Sequence, residues 1–220
     1  MKKIITAILL STTTFIANAD TLKQETQVSK IETIIKDQNQ IFINEPLSST
    51  ALDFQKKSIE SMKIKYFDQN NYPKEELHNL YVSFISLGLN EAADYLYNNK
   101  NVQIDINEYN ENGFTPLMAA AMAPIKGGNV EYAKKLIDLG ADINKGAKRT
   151  EISPISIAAN VNNYKVLSLL IVNGALFMKA DKLEYRPIDY ATKNNSVESA
   201  LILKEALSLK LKEMNKNEIK

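Results

Sequence analysis

The 220-residue chain has no cysteine, no tryptophan and a single histidine, His78. With no disulfide available, stability must come from apolar burial alone. One histidine and no thiol largely exclude a Cys–His pair, a zinc site with several imidazoles and histidine relays. A Ser-His-Asp triad would have to recruit His78, and no Gly-x-Ser-x-Gly elbow accompanies it. Seven glycines and no tryptophan argue against a glycine-rich nucleotide fold and a β-sandwich. Lys126-Gly127-Gly128 lacks the following Lys-Ser or Lys-Thr pair of a phosphate loop. Carboxylate pairs such as Glu75 and Glu76 read as a solvated face. No catalytic residue is therefore assigned, and the chain is expected not to be an enzyme. His78, the methionines and the tyrosines are residue types that ligate haem iron, but no paired motif joins them. Met118 and Met122, four apart on one helix, read as gap-filling apolar residues, so neither cofactor nor metal is expected.

Charge of one sign is lacking too. Lysine and arginine number 27 against 26 aspartates and glutamates. A near-neutral chain makes no electrostatic case for nucleic acid or an acidic membrane face.

The first nineteen residues read as an address. Lys2 and Lys3 form a basic start, Ile4 to Phe15 is an apolar run broken by Ser11 to Thr14, and Ala17-Asn18-Ala19 is a small-x-small cleavage site. These are the three parts of a secretory signal peptide, and the run is too short for a membrane anchor. Cleavage after Ala19 would leave a mature net charge of −1, since two lysines and no acids depart. The lipoprotein route needs a cysteine and is closed. No later stretch approaches the roughly 18 apolar residues of a spanning helix. The expected location is the periplasm, or alternatively the exterior. The mature chain is long enough for one or two domains and can bury roughly 70% of its unfolded surface.

Internal repetition is the strongest signal. Thr115-Pro116-Leu117-Met118-Ala119-Ala120-Ala121 aligns with Ser153-Pro154-Ile155-Ser156-Ile157-Ala158-Ala159 and with Arg186-Pro187-Ile188-Asp189-Tyr190-Ala191. The prolines are 38 and 33 residues apart, and Gly140 and Gly174 are 34 apart. Of the surplus in the first interval, four residues fall between Ala121 and Gly128 and one between Asn144 and Ser153. Proline just inside a helix loses only an amide that would be orphaned, and the preceding Thr or Ser caps the turn. Paired alanines let neighbouring helices approach. A second helix carries Val130, Ala133, Leu136 and Ile137, or Val166, Leu169 and Leu170, and stops at the glycine. Each unit has half a core and must stack on a neighbour.

Asp105-Ile106-Asn107-x-x-Asn110-x-x-Gly113-x-Thr115-Pro116-Leu117, followed by Gly128-Asn129-Val130-Glu131 and Leu139-Gly140-Ala141-Asp142-Ile143-Asn144, resembles the ankyrin repeat. The likeness spans residues 73–207. The family's histidine after Thr-Pro-Leu is Met118, Ser156 and Asp189 here, so its turn-bracing hydrogen bond is missing in that form. The second hairpin has no matching Gly or Asp, and the third keeps only Asp181. The resemblance implies an all-α ankyrin-repeat solenoid of about three to four repeats, counting degenerate caps.

Pro73 to Lys100 reads as a degenerate first repeat, with helices over 75–86 and 90–98 about a turn at Gly88. A final helix is expected over 196–213, with residues 208–220 forming a Lys/Asn-rich tail. Residues 20–72 are a helical N-terminal extension, with Val28, Ile31, Ile34 and Ile35 marking a helix over 22–38 and a second over 50–63. This extension is expected to cover the open end of the stack or to dock a partner.

The family pattern implies that the concave face is lined by Ala119 and Met122, Ile157 and Asn160, and Tyr190 and Lys193. Ile157 and Tyr190 would be its apolar anchors. The second hairpin is basic, with Lys145, Lys148 and Arg149, and suits an acidic partner. The resemblance and the leader together imply a protein partner rather than nucleic acid or a membrane, and a monomer or heterocomplex. They imply a bacterial periplasmic binding module, most simply an immunity or inhibitor protein that blocks a toxin or effector. Exported bacterial ankyrin proteins also suggest two alternatives: an accessory factor for a periplasmic enzyme of the catalase or peroxide-resistance type, or a secreted host-binding effector.

Overall fold

The structure, a computed structural model, describes residues 49–124 and 128–218. The leader over 1–19 and the helix expected over 22–38 lie outside the described residues. The chain divides into Met1–Leu52 and Asp53–Lys220, and the second unit contains the repeats. The described elements are helices joined by turns: α1 (Ser49–Met62), which begins in the first unit, a π-helical turn (Lys63–Phe67), α2 (Lys74–Ser86), α3 (Asn90–Tyr97), α4 (Pro116–Met122), α5 (Val130–Asp138), α6 (Pro154–Asn160), α7 (Tyr164–Val172), α8 (Pro187–Lys193) and α9 (Val197–Glu218). Among the described residues, no helix is long and apolar enough to cross a membrane.

Four helix pairs follow one another: α2/α3, α4/α5, α6/α7 and α8/α9. The first helices pack in succession, α2 on α4, α4 on α6 and α6 on α8. The alanines make this approach close, since Ala120, Ala121, Ala158, Ala159 and Ala191 are buried at the contacts. Tyr132, Leu136, Val166, Leu167 and Leu170 fill the layer between first and second helices. The proline-started helices begin as the residue types require. The Thr115 hydroxyl accepts the Met118 amide and the Ser153 hydroxyl accepts the Ser156 amide, each closing a first turn.

Repeats are also joined by buried asparagines. Asn163 donates its side-chain amide to the carbonyls of Ala121 (2.7 Å) and Ala123 (2.9 Å), where α4 ends. Asn129 donates to the Ile85 carbonyl at 3.2 Å and to Asn90 at 2.8 Å. Ser196 donates to the Asn160 carbonyl at 3.3 Å. At the other end Gln55, only 1% exposed, accepts the amides of Glu91 (2.9 Å) and Ala92 (3.3 Å), and so satisfies the first turn of α3 from outside the repeat.

The final helix runs to Glu218 rather than ending at Glu213, so most of the expected tail is helical. Helices α5 and α7 end at Gly140 and Gly174, whose φ angles are +91° and +89°. Leu207 stands at the equivalent place in α9, and without a residue suited to the left-handed region the helix continues.

His78 on α2 is buried, with Nε2 3.2 Å from the Glu108 carbonyl and Nδ1 lacking a partner among the described residues. Burial pushes its pKa below the ordinary value, against the smaller opposing pull of Glu108 and Asp105. The histidine is thus a buried residue whose neutral form the fold favours. Protonation is resisted in the folded state and free in the unfolded one. Its contribution is therefore fully present above the unfolded value of about 6.5 and is lost as pH falls below it. Between pH 7.5 and 5.5 the wild type is expected to lose about 1 kcal/mol more stability than His78→Gln, as read by urea unfolding. Parallel pH profiles would remove His78 from this role.

Candidate protein-binding surface

Hairpins connect successive repeats, and their geometry follows from one residue in each. In the first, the Asn110 amide donates to the Phe114 carbonyl, while its side-chain oxygen accepts the amides of Asn112 (3.1 Å) and Phe114 (2.9 Å). In the third, Asp181 does the same, accepting from Leu183 (2.8 Å) and Tyr185 (3.2 Å). The second hairpin closes from Ala147 to Ile152, one residue longer than the others, with Glu151 at φ +58°. That is the surplus residue expected between Asn144 and Ser153. Ala147 has no side-chain acceptor, and the amides of Arg149 and Thr150 have no partner among the described residues. Backbone bonds tie the hairpins side by side, Lys148 to the Gly113 carbonyl (3.0 Å) and Lys182 to the Thr150 carbonyl (3.2 Å).

The missing histidine brace is replaced differently in each repeat. Asp189 accepts the Arg186 amide at 2.9 Å and pairs with its guanidinium, which holds the carboxyl below the usual range. Ser156 bonds the Ser153 hydroxyl at 3.0 Å. The Met118 sulfur lies 3.5 Å from the Thr115 amide. Each side chain that stands in the histidine's place still reaches back to its turn.

The expected concave residues fall into two groups. Ala119 and Ile157 are 1% and 5% exposed, so the expectation that Ile157 offers an open apolar anchor is corrected. Both are buried within the stack, where the small residues of the first helices bring successive repeats close. Met122, Asn160 and Tyr190 are half-buried, and Lys193, Lys148 and Arg149 are exposed. Asn160 accepts from Asn194 at 2.7 Å. The Tyr190 hydroxyl donates to Asp181, the Tyr185 ring lies 5.4 Å from that of Tyr190, and the Lys193 ammonium sits 4.8 Å over Tyr185. Burial, with Asp181 beside it, raises the Tyr190 pKa, so the phenol stays protonated and donating.

A groove of about 380 Å³ opens along the hairpins, between residues 144–153 and 176–181, with Tyr109 at its edge. None of the six expected first-helix positions lines it. The sequence reading missed this groove, although Lys148 was one of its candidates. Among the described residues, no group of three or more His, Asp or Glu side chains is placed to hold a metal ion.

Residues 112–148 match the ankyrin repeat family. The chain is similar to inversin of Canis lupus familiaris, 33% identical over 93 residues, covering 42% of this chain and 8% of inversin. It is similar to an ankyrin repeat protein of Acanthamoeba polyphaga mimivirus, 45% identical over 74 residues, covering 28% of this chain and 34% of that protein. It is likewise similar to one of fowlpox virus, 37% identical over 65 residues, covering 28% and 18%. The chain thus spans well under half the length of these relatives. With the helix pairs and hairpins above, the fold is an ankyrin-repeat solenoid, an architecture built for binding surfaces.

Proposed function

We propose that this ankyrin solenoid is an exported protein-binding module that blocks its partner, an inhibitor of the immunity class acting in the periplasm on a toxin or effector. The observation that carries this is the fixed arrangement on the last repeat. Tyr190, bonded to Asp181, supports Tyr185, and Tyr185 in turn holds the exposed Lys193. Aromatic and cationic groups already ordered in the free protein lose little side-chain entropy on binding, which favours a tight complex. The basic start, apolar run and Ala17-Asn18-Ala19 site support export. Residues 53–62 of α1 act in this reading as a cover for the first repeat, as the bonds that Gln55 accepts from α3 support.

Tagged residues 20–220 are to be used to capture partners from periplasmic extract and from competitor-cell secretions, with identification by mass spectrometry. A single stoichiometric toxin or effector is expected. Capture of a resident peroxide-handling enzyme would replace inhibition by assistance, and capture of a host protein would make the chain an effector. No partner under any condition would sink the inhibitor reading. Ile157 is too buried for a surface probe, so Met122→Lys and Lys193→Glu serve instead. Together they are expected to weaken partner affinity roughly tenfold while the stack keeps its helical circular dichroism. Unchanged affinity would remove the first-helix face from the interface.

A further inference from the structure

The groove along the hairpins has a charge pattern that the fold does not consume. Five cations stand on or beside it. Lys145 is committed, donating to the Asn107 carbonyl at 2.7 Å and lying 4.5 Å over the Tyr109 ring. Lys182 pairs with Glu151 at 3.0 Å. Lys148 and Lys179, which line the groove, and Arg149 on the adjoining tip have no ion pair among the described residues.

The two acids of the lining are both engaged. Glu151 has Lys182, and Asp181 accepts two backbone amides and the Tyr190 hydroxyl. The tip lacks the Asx acceptor of the other two hairpins, and the Arg149 and Thr150 amides, close in sequence to Lys148, have no partner among the described residues. Unpartnered amides next to cations suit oxyanions. Ala147, Ala180 and Leu176 add apolar surface to a lining that also carries the charges. Its lining is drawn from successive hairpins, which suits a segment extended across repeats.

We propose that this groove binds an extended acidic segment of a partner protein, its carboxylates meeting Lys148, Lys179 and the Arg149 tip and an apolar side chain resting over Leu176. This deepens, and rests on, the protein-binding reading above, and it places acid recognition on the hairpins rather than on the first-helix face.

The test is a titration of the isotope-labelled protein with the peptide acetyl-Glu-Glu-Leu-Glu-Glu-amide and with its glutamine counterpart, followed by amide chemical shifts. Saturable shifts at Tyr109, Gly146, Lys148, Lys179 and Asp181 are expected for the acidic peptide alone. Solvent-facing charges each contribute modestly, so Lys148→Gln with Lys179→Gln should together weaken binding roughly tenfold. Added salt should weaken the wild type more than the variant. An equal response to both peptides, shifts confined to Met122, Asn160 and Lys193, or no saturable shift would overturn the proposal. The two readings fail separately. A captured partner whose affinity is indifferent to the double lysine variant leaves the protein-binding reading standing without the groove. Peptide binding in the groove with no partner ever captured leaves acid recognition standing without the inhibitor.

Discussion

Gly128→Ala is expected to destabilise the stack by about 2–5 kcal/mol, whereas Gly140→Ala costs about 1–2 kcal/mol, although both glycines have nearly the same backbone. Their φ angles are +88° and +91°, so both substitutions carry the same left-handed penalty of about 1–2 kcal/mol. What differs is the space around them. A Cβ at Gly140 meets nothing within 4 Å. At Gly128 it would stand 2.5 Å from Val166 Cγ2, 3.2 Å from Val166 Cβ and 3.0 Å from Asn163 Cβ. Val166 is fully buried and branched at Cβ, so it has no alternative rotamer to retreat to. The repeats would have to separate, and overpacking of this kind costs about 1–3 kcal/mol more. Urea unfolding of both variants decides the matter. A further Val166→Ala change should recover part of the Gly128→Ala loss, because it removes the clashing methyl. Equal destabilisation at the two glycines would show that the approach of the repeats at Gly128 is not tight.

Much of this architecture was legible because it is written in residues with one dominant physical role. Pro116, Pro154 and Pro187 start helices, Gly140 and Gly174 end them, and Gly88 separates the two helices of the degenerate first repeat. The surplus residue of the second hairpin was placed by counting alone. The binding surface was less legible, because exposure belongs to the packed stack and not to one repeat. Ile157 occupies a family contact position yet is buried by its neighbours, while Met122, three residues beyond the equivalent Ala119, stays half-open. The groove joins residues 109, 144–153 and 176–181 from successive hairpins, and no local spacing announces it. The expectation of a lost turn brace looked for one residue type, whereas a carboxylate, a hydroxyl and a thioether each reach the same turn. One signal was present and unread: Asn129, Asn163 and Ser196 recur at intervals of 34 and 33, a polar period alongside the apolar one.

That polar period carries the second large effect. Asn163→Ala is expected to cost about 3 kcal/mol, more than an ordinary surface change and comparable to a core truncation. The side chain is 5% exposed, and its amide satisfies two carbonyls of another repeat, those of Ala121 and Ala123. Alanine removes both donors but neither acceptor, and an unmet buried acceptor costs about 1–3 kcal/mol. Both carbonyls lie at the end of α4, where the helix ladder stops at Met122. In a solenoid this loss falls on the coupling between neighbours rather than on either repeat alone. The expected result is therefore a urea midpoint lowered by roughly 1–2 M together with a shallower transition. Amide exchange should accelerate in α6 to α9 before it does in α2 and α3, since the weakened joint lies between those groups. A loss under about 1 kcal/mol with an unchanged slope would mean that water reaches the Ala121 and Ala123 carbonyls, and that apolar contact alone couples these repeats.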